Sequence, residues 1–112
     1  MDTMDFTFEF YNEAALPEAL ESELRVEAEN RLRRLTEGHT DITGASVSVD
    51  ELTSSATPHR YEVRVVAYMR PEYVAAVEKQ ETVEGALKGA LGAVERQVRE
   101  LREKLRERWK QP

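Results

Sequence analysis

The sequence contains no cysteine, and in 112 residues it has only five glycines, four prolines and two histidines. Without cysteine there can be no disulfide, no thiolate nucleophile and no cysteine zinc site, which fits a cytoplasmic protein. His39 and His59 each stand beside an expected turn, with no second metal-type residue at ligand spacing. They read as exposed loop residues, and no metal site is expected. No apolar run approaches the roughly 20 residues needed to cross a bilayer. The opening stretch, MDTMDFTFEF, lacks the basic start and long apolar core of a signal peptide. There is no phosphate-binding glycine loop, no dinucleotide fingerprint and no nucleophile elbow. The carboxylates are scattered at spacings that pair them with arginines, as in Glu95 to Arg99 and Glu100 to Lys104. The expectation is therefore a protein that is not an enzyme, with no cofactor, no small-molecule substrate and no membrane partner.

What is present is charge. Lys and Arg number 16 against 22 Asp and Glu, a formal net charge of −6. Such a balance argues against indiscriminate nucleic-acid binding, because phosphates attract a basic surface. Distribution matters more than the sum. Acid is concentrated in the N-terminal half, whereas residues 95–110 carry seven Lys and Arg against four Glu. The length fits one domain over residues 1–112 with a core that needs no staples.

Periodicity outlines six elements. Phe6–Tyr11 alternates, with Phe6, Phe8 and Phe10 on one face of a strand. Pro17 opens a helix whose apolar stripe is Leu20, Leu24, Ala28, Leu32 and Leu35, with glutamates near its start and Arg31, Arg33 and Arg34 near its end. Gly38 is a fitting stop. Ile42–Leu52 is a second strand, with Ala45, Val47 and Val49 facing in. Residues 53–58 form a loop by composition. His59–Met69 is a third strand and, after a turn at Arg70-Pro71-Glu72, Tyr73–Lys79 is a fourth. From Glu81 to Trp109 a single helix is expected, its stripe formed by Leu87, Leu91, Val94, Val98, Leu101 and Leu105. Short connections among the last three strands favour an antiparallel meander. A helical crossover makes the first two strands parallel and the crossover right-handed. The economical packing is an α+β fold in βαβββα order, a four-stranded sheet with two helices packed on one face. The other face, with Thr7, Glu9, Ser46, Ser48, Glu62 and Arg64, stays wet.

Two features have more than one reading. Gly85, Gly89 and Gly92 lie within the long helix, where each costs roughly 1 kcal/mol relative to alanine; close packing inside the chain would account for them, as would close approach of a partner. Arg31, Arg33, Arg34, Lys79, Lys88, Arg96 and Arg99 are either phosphate-contacting cations on a rigid frame or surface charge balancing nearby acids. The seam Val98, Leu101, Leu105 and Trp109 offers a second kind of function, pairing of the C-terminal helix with another helix, including that of a second copy in a homo-oligomer.

The run Val94-Glu-Arg-Gln-Val-Arg-Glu-Leu101 resembles the L-E-R-Q-L-x-x-L run in the second helix of the ribosome hibernation-promoting factors, the family of the ribosome-associated inhibitor and the sigma-54 modulation proteins. Arg31-Leu-Arg-Arg-Leu35 resembles the R-L-x-K-L run closing that family's first helix, and Ala76–Lys79 its last strand. The order of elements is similar over nearly the whole chain. Two positions depart from the pattern: Glu84 stands where an aromatic is usual and Ala93 where a lysine often is. The resemblance implies a fold like that of double-stranded-RNA-binding domains. It also implies a short-form factor that binds the rRNA of the small ribosomal subunit and blocks the channel of tRNA and mRNA. By matching position, Arg31, Arg34, Lys79 and Arg96 would face rRNA phosphates, with Lys88 and Arg99 beside them.

Overall fold

The computed structural model describes residues 6–52, 60–69 and 72–110, with side chains to residue 107. The elements run β1 (Thr7–Asn12), α1 (Glu18–Arg34), β2 (Ile42–Glu51), β3 (Tyr61–Met69), β4 (Tyr73–Gln80) and α2 (Val83–Lys110). This is the expected βαβββα order. The expected loop at 53–58, His59 and the turn residues Arg70 and Pro71 lie outside the described residues.

The strands form one sheet in the order β1-β2-β3-β4. β1 pairs parallel with β2, and the other two pairings are antiparallel. Because side chains alternate along each strand, the register sets rows across the sheet. Phe8, Ala45, Ala67 and Val74 form one row, and Phe10, Val47, Val65 and Ala76 the next. A third row runs Asn12, Val49, Val63 and Glu78. These rows form the covered face, where Val47, Val49, Val63, Val65 and Ala67 are fully buried.

α1 contributes Leu24, Ala28 and Leu32 to this core, and α2 contributes Val83, Ala86, Leu87, Ala90, Leu91, Val94 and Val98. Leu101 and Leu105, which continue the α2 stripe, are only half-buried. The stripe is thus used for packing as far as Val98. At about 1.5 Å per residue the helix is roughly 42 Å long, so its last turns extend beyond the sheet.

Local chemistry fixes the ends of the elements. α2 starts two residues later than the spacing predicts, because the Thr82 hydroxyl accepts the Gly85 N–H at 3.1 Å and caps the helix. Pro17 is the residue before the first turn of α1 rather than within it. Between β1 and α1 the Asn12 side chain organises the turn. Its Oδ1 accepts from the N–H groups of Ala14 and Leu16, and its Nδ2 donates to the Leu16 carbonyl and to Glu21 Oε1. That network supports Ala15 at φ 55°, a left-handed conformation costly for a residue with a Cβ.

The other face of the sheet carries Thr7, Glu9, Ser46, Ser48, Glu62 and Arg64, as expected, and also Tyr11, Tyr68 and Tyr73, all three exposed. Gly44 lies where β1 and β2 approach closely. A Cβ there would come 2.7 Å from the Thr7 carbonyl oxygen, a backbone atom that cannot swing away. Gly44→Ala should therefore destabilise the protein by about 1–3 kcal/mol by forcing β1 off β2, read as a lower urea midpoint. An unchanged midpoint would show that β1 can move without cost.

Candidate nucleic-acid interface

Phosphate recognition needs cations that project into solvent and are not already neutralised. Among the described residues, five arginines have carboxylate partners: Arg25 with Glu21, Arg31 with Glu95, Arg33 with Glu29, Arg60 with Glu51 and Arg102 with Asp41. Of the six candidate contact residues, only Arg31 is in this group. Arg34, Lys79, Lys88, Arg96 and Arg99 are exposed and make no ion pair among the described residues.

Arg31 is half-buried between the helices. Its Nε donates to Glu95 Oε2 at 3.0 Å and its Nη2 to Glu95 Oε1 at 2.8 Å. This bidentate pair holds the guanidinium pKa above its ordinary value, with the hydrogen bonds to Glu95 as the largest cause. The spacing of Glu95 and Arg99 predicted an ion pair along α2. Instead both Glu95 oxygens go to Arg31, because two parallel bonds in a partly desolvated seam outweigh a single exposed contact. Arg99 is left free. Glu100 and Lys104, the other expected pair, form no ion pair either.

A second tie lies further along. Arg102 donates from Nε to Asp41 Oδ2 at 2.8 Å, and from Nη2 both to Asp41 Oδ1 and to the Leu35 carbonyl, each at 2.8 Å. It thereby satisfies one of the carbonyls left open at the end of α1. Neither Arg102 nor Asp41 was among the sequence candidates. A signal was available, since Glu95 and Arg102 are two helical turns apart on the same flank of the buried stripe. Their partners, 64 and 61 residues away in sequence, could not be read from it.

The two ties show that α1 and α2 run in the same direction, with Arg31 level with Glu95 and Leu35 level with Arg102. Arg34, one turn past Arg31, therefore comes level with Arg99. Lys88, Arg96 and Arg99 share the outer side of α2, opposite the buried stripe. Arg34 and these three lie on the helical side of the protein, with the exposed Glu84, Glu100 and Glu103 of α2 standing among them. Lys79 does not join them. It projects from the uncovered face of the sheet, directly across from Glu62 on β3. Arg33 leans the other way, over the Phe6 ring at 4.9 Å. The α1 surface turns acidic toward its N-terminus, with Glu18, Glu23 and Glu27.

Among the described residues no cluster of three potential metal ligands occurs, and no helix is long and apolar enough to cross a membrane.

The model of a family described as sigma 54 modulation protein / S30EA ribosomal protein matches residues 16–106. No curated protein matches the chain in sequence. Two solved structures share the architecture. A ribosomal subunit interface protein from Coxiella burnetii superposes with a TM-score of 0.65 at 12% identity, over 87% of this chain and 98% of that one. The N-terminal domain of Protein Y from Thermus thermophilus gives 0.61 at 17% identity, over 85% of this chain and 94% of that one. At these identities the likeness is one of fold.

The Arg102 tie has a pH signature. The Arg102 guanidinium, chiefly through its hydrogen bonds, holds the Asp41 carboxyl below its ordinary range. With the native pKa below the unfolded one, the pair's contribution is complete above the ordinary carboxylate range and is lost as pH falls through the native value. The stability gap between the wild-type protein and Asp41→Asn should thus be constant above the ordinary carboxylate range and narrow as pH falls below it. Arg102→Gln, which leaves Asp41 and the Leu35 carbonyl without their donor, should cost about 1–3 kcal/mol at neutral pH. Thermal unfolding across pH checks both, and a gap that widens on acidification would contradict the assignment.

Proposed function

The chain belongs to the sigma 54 modulation protein / S30EA ribosomal protein family, and on that premise we propose that it is a non-enzymatic, cytoplasmic, ribosome-associated factor. It lays its helical face on the rRNA of the small subunit and inhibits translation by occupying the channel of tRNA and mRNA. The observation that supports this reading is the sorting of the cations. Half-buried Arg31 and Arg102 are spent on Glu95 and Asp41, while Arg34, Lys88, Arg96 and Arg99 stand exposed on the helical side and unpaired among the described residues. Cations held on two rigid, mutually tied helices are what phosphate contacts require. In this reading Arg31 acts at one remove, fixing the distance between the two basic helices. Lys79, on the far side of the sheet, belongs to a separate and weaker contact at the sheet end.

The competing reading, pairing through the C-terminal helix with another copy, would use the half-buried Leu101 and Leu105, which line open concavities; the side chain of Trp109 lies outside the described residues.

Co-sedimentation with purified small subunits tests the proposal. Counterion release at about four phosphate contacts should weaken binding roughly a hundredfold between about 50 and 200 mM salt. Charge reversal of Arg34, Arg96 and Arg99 together should abolish binding while leaving the fold intact, since none of the three has an ion-pair partner to lose among the described residues. Co-sedimentation that ignores both salt and these changes would remove the basic surface from the mechanism.

A further inference from the structure

Three glycines interrupt α2, and the structure gives two of them a use inside the chain. A Cβ at Gly85 would lie 2.9 Å from the Thr82 hydroxyl that caps the helix. A Cβ at Gly89 would lie 3.0 Å from the Glu78 side chain. Glu78 ends the row of Asn12, Val49 and Val63 on the covered sheet face, and Gly89 makes room for it. Gly92 differs, because a Cβ there would meet nothing within 4 Å. It sits in the interior of a 28-residue helix, where alanine is the better residue on backbone entropy alone. No packing, turn or cap in the described chain takes advantage of its missing side chain.

The surroundings of Gly92 indicate where an advantage lies. Lys88 and Arg96 stand four residues before and after it, on the same side of the helix, and Arg99 one further turn along. All three are exposed and make no ion pair among the described residues. The acid nearest Gly92 on this flank, Glu95, has both oxygens turned inward to Arg31, and the exposed Glu84 and Glu100 lie one turn beyond Lys88 and Arg96. The helix surface is therefore lowest at Gly92 and positively charged on either side of it. An extended polyanion lying along α2 could have its phosphates held by Lys88 and Arg96 only by passing over position 92.

We propose that Gly92 is the point of closest approach of an RNA sugar-phosphate backbone, which rests against the helix backbone there while Lys88, Arg96 and Arg99 hold its phosphates. This inference rests on the reading of the basic face as an rRNA contact and adds to it a residue that carries no charge. It separates stability from binding, because the side chain the fold prefers is the one the partner excludes.

The experiment compares the wild-type protein with Gly92→Ala, Gly92→Gln and the double reversal Arg96→Glu/Arg99→Glu, by thermal unfolding and by co-sedimentation with purified small subunits at several salt concentrations. Both Gly92 variants should melt higher than the wild type, by a few degrees for alanine. Both should nevertheless bind less tightly. Gly92→Gln should lose about tenfold, the equivalent of one displaced charge-assisted contact, and Gly92→Ala less. The wild-type salt dependence should be steep and should flatten in the double reversal. If the double reversal abolishes binding and both Gly92 variants bind like the wild type, the close-approach assignment is overturned while the basic face stands. If the Gly92 variants weaken binding but the double reversal does not change its salt dependence, the surface meets a protein rather than RNA, and the assignment also falls. A wild-type protein that does not sediment with small subunits overturns both readings together.

Discussion

Val47, Val49, Val63, Val65 and Ala67 are shielded from water because two helices lie across one face of a single sheet. Each fully buried valine is worth about 1.5–3 kcal/mol, and among the described residues no second sheet or third helix is available to share the work. Both helices must therefore turn their apolar stripes to the same side and meet along a seam. Polar groups on that seam are partly cut off from water and need partners. Arg31 with Glu95, and Arg102 with Asp41 and the Leu35 carbonyl, supply them. The distinction between cations that hold the fold together and cations left for a partner is thus a by-product of how the core is covered.

Much of the architecture was legible because each element repeats a simple period. The two-residue alternation of β2 and β3 and the three-to-four spacing of Leu24, Ala28 and Leu32, or of Leu87, Leu91, Val94 and Val98, identify buried faces without knowledge of the fold. What the periods cannot carry is contact between distant positions. Arg31 belongs to a run whose resemblance marks it as a phosphate contact, and nothing local distinguishes it from Arg34. Only the packing of α1 beside α2 brings Glu95 to one and leaves the other free. Lys79 was similarly ambiguous, since the face from which it projects depends on register at the end of β4. The glycines of α2 showed the opposite limit. Close packing within the chain accounts for Gly89, but its neighbour is a glutamate on β4 rather than another helix, and Gly92 has no such neighbour.

The overall acidity of the chain and the basicity of its helical face are compatible because the two charges occupy different places. Glu18, Glu23 and Glu27 lie toward one end of α1, and Glu9, Asp50 and Glu62 on the uncovered face of the sheet. A surface of this kind has little general attraction for nucleic acid, so the proposed rRNA contact would rely on matching a particular arrangement of phosphates. The rigidity imposed by the two seam ties then matters more than the number of cations, because a fixed spacing discriminates among RNA shapes and a flexible one does not.

The length of α2 divides the helix into parts of unequal local stability. Up to Arg102 its turns are held by buried side chains and by the tie to Asp41, and opening them means uncovering the sheet. Beyond Arg102 only half-buried Leu105 among the described side chains adds apolar contact, so the turn from Glu103 to Glu107 leans mainly on its own backbone hydrogen bonds. A helical end of that kind frays independently of the domain. Its amide protons exchange with solvent through brief local openings, whereas those around Leu91 and Val94 wait for the protein to unfold. Arg102 therefore marks the last place, among the described side chains, where opening a turn of α2 also breaks a tie to the rest of the fold.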